Sequence, residues 1–105
     1  MHDKDMIQVI IERIVAGFAP ERVILFGSQA RGDAVPHSDI DLLIVFSDVA
    51  DKRQAAIRIR QALADLPVAK DVFITTPQEI KERGKVIGYI LRPALEEGKV
   101  VYESK

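Results

Sequence analysis

Two aspartates, Asp39 and Asp41, stand immediately before the most apolar run of the chain, L-L-I-V-F. Side chains alternate along a strand, so residues two apart project from the same face. Carboxylates held together repel each other, and a divalent cation offsets that repulsion. Hard oxygen ligands suit Mg²⁺, whose coordination is often completed by waters and substrate phosphates. The pair therefore predicts a metal site that acts on a phosphate-bearing substrate.

A glycine-serine step, Gly27 and Ser28, follows a short apolar strand pattern upstream of the aspartates. Glycine lets backbone N–H groups approach an anion, and the serine hydroxyl adds a donor. We therefore predict that these two residues hold phosphate, the alternative being an ordinary turn from strand to helix. Arg31 is a further candidate phosphate contact, with a solvated helix surface as its alternative.

A third acid, Asp71, lies inside a later strand pattern, V-A-K-D-V-F-I-T. We predict that its strand face meets the face bearing Asp39 and Asp41, where a third carboxylate would allow two metal ions to be held. The alternative is a surface ion pair of Asp71 with Lys70 or Arg22, which would contribute little.

The elements that must position these residues follow from hydrophobic periodicity and capping signals. Asp51 with Gln54 resembles a capping box, and Thr76, Pro77 and Glu79 supply the signals of another helix start. The patterns predict strands at about 23–26, 39–46, 68–75 and 100–102, and helices at about 3–16, 51–66, from 77 onwards and along the apolar stripe 87–95. Helices and strands alternate, which predicts a sheet covered by helices, an α/β (α+β) fold.

Length, charge and composition exclude several classes of protein. The 105 residues predict one domain, 1–105, and the net charge of −1 gives no general attraction to nucleic acid or to a membrane. The basic residues of the second helix, Lys52, Arg53, Arg58 and Arg60, are interpreted as a solvated face instead of a nucleic-acid patch. The acidic start of the chain does not resemble a signal peptide, and we expect a cytoplasmic location.

Gly27-Ser28, ten intervening residues and then Asp39-Ile40-Asp41 resemble the signature of the DNA polymerase β-like nucleotidyltransferase superfamily. The longer string G-S-Q-A-R-G-D…S-D-I-D-L is similar to the minimal nucleotidyltransferases, which are often antitoxins paired with HEPN-domain toxins. The resemblance covers nearly the whole chain and implies a nucleotidyltransferase core with a mixed sheet of about four strands. It also implies two Mg²⁺ or Mn²⁺ ions on Asp39, Asp41 and Asp71, although the family fixes no exact distance to Asp71, and a triphosphate on Gly27 and Ser28.

The implied reaction is attack of an acceptor hydroxyl on the α-phosphorus of a nucleoside triphosphate, with AMP from ATP as the expected group. Asp71 is the candidate base for the hydroxyl proton. Little of the chain is left over for an acceptor-binding domain, so a homo- or hetero-oligomer is expected in which another chain brings the acceptor. The resemblance implies a HEPN toxin, modified on a tyrosine or neutralised by complex formation.

Two other classes of function compete with this interpretation. Dehalogenase-type phosphatases and glycosyltransferases also use Asp-x-Asp, but their motif follows the apolar strand, whereas Asp39 and Asp41 precede it. The second alternative is a binding module of nucleotidyltransferase fold that neutralises its partner by contact alone. The sequence leaves that second alternative open, because all three expected carboxylates are present.

Overall fold

The computed structural model describes residues 3–27, 39–83 and 98–104, and the predicted stripe 87–95 lies outside these ranges. Within them, the predicted helices and all four predicted strands are present. In chain order the described elements are α1 (Asp3–Phe18), β1 (Arg22–Phe26), β2 (Ile40–Val45), α2 (Lys52–Ala62), β3 (Lys70–Thr75), α3 (Pro77–Arg83) and β4 (Lys99–Glu103). None of the described helices is both long and apolar enough to cross a bilayer.

The four strands form one mixed sheet in the order β3-β2-β1-β4. Strand β2 runs parallel to β3 and antiparallel to β1, and β1 is also antiparallel to β4. A register shift between Val23 and Ile24 interrupts the pairing of β1 with β4. The inner position of β2 confirms the prediction made from its apolar residues on both faces, since a strand covered on both sides needs no polar face.

Alternation along the strands divides the core between the two faces of the sheet. Helices α1 and α2 cover one face, where the fully buried side chains include Ile10, Ile14, Leu42, Ile44, Ile59 and Leu63. The opposite face carries a smaller buried cluster of Ile24, Phe26, Leu43 and Val45, against which Phe73 and Ile80 pack. Two apolar faces on one sheet explain why almost every residue of β2 is buried.

Side-chain caps start α2 and α3 as the sequence predicts. The Asp51 carboxylate accepts a hydrogen bond from the Gln54 N–H at 3.0 Å. The Thr76 hydroxyl accepts one from the Glu79 N–H at 3.2 Å, and the Glu79 carboxylate accepts another from the buried Thr75 hydroxyl at 2.8 Å. These caps satisfy N–H groups that have no partner inside the helix.

Two helix ends differ from their predicted positions. Helix α1 continues past Gly17 to Phe18, whose ring packs against the core, and Ala19 then turns the chain with φ of 49°. Helix α2 ends at Ala62 instead of near residue 66. The Leu63 N–H is shared between the carbonyls of Ile59 and Arg60, a tightening that is common in a last helical turn.

An ion pair ties α1 to the turn after α2. The Arg13 guanidinium donates to the Asp65 carboxylate, with Nη2 and Oδ2 3.1 Å apart, and to the Ala62 carbonyl oxygen, also at 3.1 Å. The hydrogen bond from Arg13 holds the pKa of Asp65 below its ordinary value. Arg13 thereby also satisfies a carbonyl at the end of α2.

Candidate active site

Asp41 and Asp71 lie side by side on adjacent strands. Strands β2 and β3 are parallel, and their register pairs Asp41 with Asp71. Paired residues on neighbouring strands point to the same face, with backbones about 4.8 Å apart. The structure therefore brings these two carboxylates onto one face, as the sequence predicts. Asp39 is exposed and lies one residue before β2, whose start is fixed by a hydrogen bond from the Ile40 N–H to the Ala69 carbonyl at 2.9 Å.

Gly27 is fitted against the Asp41 carboxylate. It directly follows β1, whose last residue Phe26 pairs with Asp41 across the antiparallel register. Its φ of +75° lies in the left-handed region, which favours glycine. A Cβ atom at this position would lie only 2.3 Å from Asp41 Oδ2. Glycine is therefore needed here both for the turn and for the space that the carboxylate occupies.

The two bases that could have formed a surface ion pair with Asp71 have other partners. Lys70 Nζ donates to the Leu66 carbonyl oxygen at 3.0 Å. Arg22 Nε lies 3.4 Å from the Glu103 carboxylate at the other end of the sheet. Within residues 3–27, 39–83 and 98–104, these two bases are thus engaged with groups other than Asp71.

An aromatic pair continues the site face into the core. The rings of Phe26 and Phe73 have centroids 5.8 Å apart and are tilted by 49°. Phe26 pairs with Asp41, and Phe73 follows Asp71 by two residues on the same strand face. Because apolar groups replace water on one side of the half-buried Asp41, charges near it interact more strongly than they would in bulk water.

The donor set suits hard divalent cations, since Asp39, Asp41 and Asp71 offer only carboxylate oxygens. The close fit of Gly27 to Asp41 leaves the carboxylate space that a larger side chain would take. Across the residues that the structure describes, no three acidic or histidine side chains are gathered around one point, so the two-metal arrangement stays a prediction. Ser28 and Arg31 lie outside the described residues, and their phosphate contacts also stay predictions.

The fit between Gly27 and Asp41 was not anticipated from the sequence. The motif identified Gly27 as a phosphate-binding residue, on the ground that backbone N–H groups can approach an anion there. Its contact with Asp41 depends on the register of β1 with β2, which pairs residues 15 apart in the chain. The sequence did contain a signal for this contact, because a glycine directly after one strand can lie against the first residues of an antiparallel neighbour.

Comparison with known proteins agrees with this architecture. The model of the nucleotidyltransferase domain family matches residues 7–101. A solved protein described as a nucleotidyltransferase from Sulfolobus solfataricus has a TM-score of 0.65 and 24% identity, covering 94% of this chain and 78% of that one. None of the curated proteins matches the sequence.

Two toxin–antitoxin structures also share the fold. A mutant of the toxin–antitoxin MntA-HpeT has a TM-score of 0.64 and 21% identity, covering all of this chain and 76% of that one. A toxin–antitoxin with AMP-PNP has a TM-score of 0.58 and 19% identity, covering 99% and 76%. At these identities the likeness shows a common fold.

Proposed function

Since the chain belongs to the nucleotidyltransferase domain family, we propose that it moves AMP from ATP onto an acceptor hydroxyl. The observation that carries the proposal is the pairing of Asp41 with Asp71 beside the left-handed turn at Gly27. Acidic ligands and a phosphate-accommodating turn are the two parts that nucleotidyl transfer requires at one place. ATP is favoured over other triphosphates because a structural relative was solved with AMP-PNP.

The proposed roles follow from where each carboxylate lies. Asp41, half-buried and fixed by strand pairing, would be the best oriented metal ligand, with Asp39 and Asp71 completing the set. Two bound divalent ions would supply charge compensation for the attacking and leaving oxygens. Asp71 is exposed on an edge strand, where an incoming hydroxyl can reach it, and it would accept the hydroxyl proton. Gly27 and Ser28 would hold the triphosphate, with Arg31 as a further phosphate contact.

The proposed acceptor is a tyrosine hydroxyl on a HEPN-domain toxin, and the chain would act as its antitoxin. Two of the structural relatives are toxin–antitoxin assemblies, which supports a toxin partner. A phenolic hydroxyl presented by a partner protein would place a nucleophile at Asp71. Neutralisation by contact alone is the competing function, and it predicts complex formation without transfer.

The decisive experiment follows the two ends of ATP separately in the purified complex with its co-expressed toxin partner. We expect label from the α-phosphate to appear on the partner and label from the γ-phosphate to leave as pyrophosphate, both only with Mg²⁺ or Mn²⁺. Asp41→Asn and Asp71→Asn should each abolish transfer while the complex survives. Glu82→Gln makes the same chemical change on the exposed surface of α3 and should transfer normally.

Three results would contradict the proposal. Release of γ-label as inorganic phosphate without pyrophosphate would indicate a phosphatase or kinase. Full transfer by Asp71→Asn would remove the proposed base. Complete neutralisation of the toxin without any gain in its mass would favour the binding module.

A further inference from the structure

Strand β3 has one side that is paired with β2 and one outer side. The Ala69 carbonyl accepts a hydrogen bond from the Ile40 N–H at 2.9 Å. The Thr75 carbonyl accepts one from the Phe46 N–H at 3.0 Å, so both carbonyls face β2. Backbone groups of successive residues in a strand point alternately to its two sides. Val72 lies three residues from each of these two positions, an odd number, so its carbonyl points to the outer edge of the four described strands.

Arg60 binds this outer edge directly beside Asp71. Its Nη2 donates to the carbonyl oxygen of Val72, the residue that follows Asp71, at 3.2 Å, and this hydrogen bond is partly buried. Arg60 belongs to α2, whose Ile59 is buried in the same core cluster as Val72. The side chain therefore reaches from the helix over one sheet face to the edge of β3. One base of the helix face that the sequence analysis interpreted as solvated is thus engaged with the sheet.

Asp71 depends on support at this edge more than Asp41 does. Strand β2 is hydrogen bonded to β1 and to β3, so the backbone of Asp41 is held from both sides. Strand β3 is paired with β2 alone among the described strands, and an edge strand presents backbone groups without a strand partner. The hydrogen bond from Arg60 supplies a second support, next to the Asp71 peptide. Groups that stand behind a metal ligand orient it, and their loss typically costs about 10- to 100-fold in metal affinity or activity.

We propose that Arg60 is a positioning residue for Asp71. It holds the outer side of β3 and so keeps the Asp71 carboxylate beside that of Asp41, where metal binding and proton acceptance need it. Arg60 comes from the face covered by α2, whereas Asp41 and Asp71 share the other face. It therefore acts through the strand and contacts neither metal nor substrate. The inference rests on the proposed function for the role of Asp71.

Position and charge predict opposite effects of removing the Arg60 guanidinium. A cation near several acids weakens their attraction for a divalent metal ion, so loss of its charge alone would tighten metal binding. Loss of a positioning hydrogen bond would weaken metal binding, because Asp71 would no longer be held beside Asp41. The sign of the change in metal affinity therefore separates the two roles.

The test measures the Mn²⁺ affinity of the purified chain by electron paramagnetic resonance, without ATP or a partner. Arg60→Met keeps the apolar part of the side chain and removes every donor, and we expect it to weaken Mn²⁺ binding by about tenfold. Arg60→Lys can still donate to the Val72 carbonyl and should recover most of the loss. In an Asp71→Asn background, Arg60→Met should change the affinity by less than about twofold. Arg58→Met removes an exposed arginine from the same helix and, as the matched control, should also change it by less than about twofold.

Transfer kinetics in the complex with the toxin partner give a second readout. Arg60→Met should lower kcat for AMP transfer by about tenfold, because a displaced base and metal ligand slow the chemical step. The KM for ATP should change by less than about twofold, because the triphosphate is proposed to bind at the Gly27 turn and not at β3. Urea unfolding of each variant establishes that it is folded at the assay temperature.

Unchanged or tighter Mn²⁺ binding by Arg60→Met would overturn the inference. Equal weakening with and without the Asp71 carboxylate would also overturn it, and so would equal weakening by Arg58→Met. Failure of the proposed function is distinguishable in the same samples. A chain that transfers no AMP but shows coupling of Arg60 with Asp71 in Mn²⁺ affinity would contradict nucleotidyl transfer alone. Normal transfer without that coupling would contradict the positioning role alone.

Discussion

The substitution Gly27→Ala tests two roles of this glycine, which are to form the left-handed turn and to leave space for the Asp41 carboxylate. At φ of +75°, an alanine costs about 1–2 kcal/mol relative to glycine. The added Cβ would lie 2.3 Å from Asp41 Oδ2 and 3.3 Å from its Cγ, so the carboxylate has to rotate away. Forcing a side chain off its rotamer adds about 0.5–1.5 kcal/mol. We therefore expect a fall in melting temperature of roughly 10 °C, and a larger proportional loss of AMP transfer because Asp41 is displaced.

A double-mutant cycle with Asp41→Ala isolates the contact between the two residues. In that background the clashing carboxylate is absent, and only the cost of the left-handed turn remains. Urea unfolding should therefore show Gly27→Ala to be about 0.5–1.5 kcal/mol less harmful in the Asp41→Ala background than in the chain that keeps the carboxylate. Asp41→Ala also relieves repulsion among the acids, but this effect is the same with glycine or alanine at position 27 and therefore cancels in the cycle.

The matched control is Gly17→Ala on α1. A Cβ at Gly17 would meet no atom within 4 Å, and alanine in a helix is favoured over glycine by about 1 kcal/mol. The control should therefore be neutral or stabilising. Additivity of the Gly27 and Asp41 substitutions to within about 0.3 kcal/mol would refute the steric coupling, and so would normal transfer by Gly27→Ala.

Three further predictions concern the scaffold. Asp51→Ala removes the cap of α2 and should lower the free energy of unfolding by about 1 kcal/mol, measured by urea titration. Ile59→Ala leaves a cavity at a fully buried site and should cost about 2–5 kcal/mol in the same assay. Because Arg13 holds the pKa of Asp65 below its ordinary value of 3.8, the stability that their pair contributes should be complete above about pH 5 and be lost as the pH falls through the folded-state pKa. Unfolding titrations from about pH 6 to about pH 2 should therefore show less acid sensitivity in Asp65→Asn.

Local signals predicted most of the fold because they act over a few residues. The cap at Asp51 and the start of α3 at Thr76 depend on contacts within one helical turn, and both are present. The early end of α2 was not predicted, because the apolar spacing continues to Leu66. A helix end depends on which carbonyls the last N–H groups reach, and the Leu63 N–H already turns to Arg60.

The parts that sequence reasoning missed depend on pairing between distant segments. The apolar patterns predicted four strands, but the order β3-β2-β1-β4 and the register shift at Val23 arise from strand contacts with no local signature. The sequence predicted more of the site than of the strand order, because the spacing of Asp39 and Asp41 is a local feature of the chain. The pairing of Asp41 with Asp71 was predicted from their strand faces, whereas the close fit of Gly27 was not, because it depends on the register of β1 with β2.

The carboxylates also help to explain why β2 adopts its register. A slip of one residue turns every side chain of a strand to the other face. The four residues from Leu42 to Val45 are all apolar and at most 1% exposed. A slip in this part of the strand therefore only exchanges one buried apolar side chain for another. Only the beginning of the strand distinguishes the two registers: a slip would turn Asp41 toward α1 and α2 and expose Ile40, which is now 1% exposed. Since burial of a carboxylate under two helices is costly, the residue proposed to bind metal is also the one that keeps the strand aligned with Asp71 and Gly27.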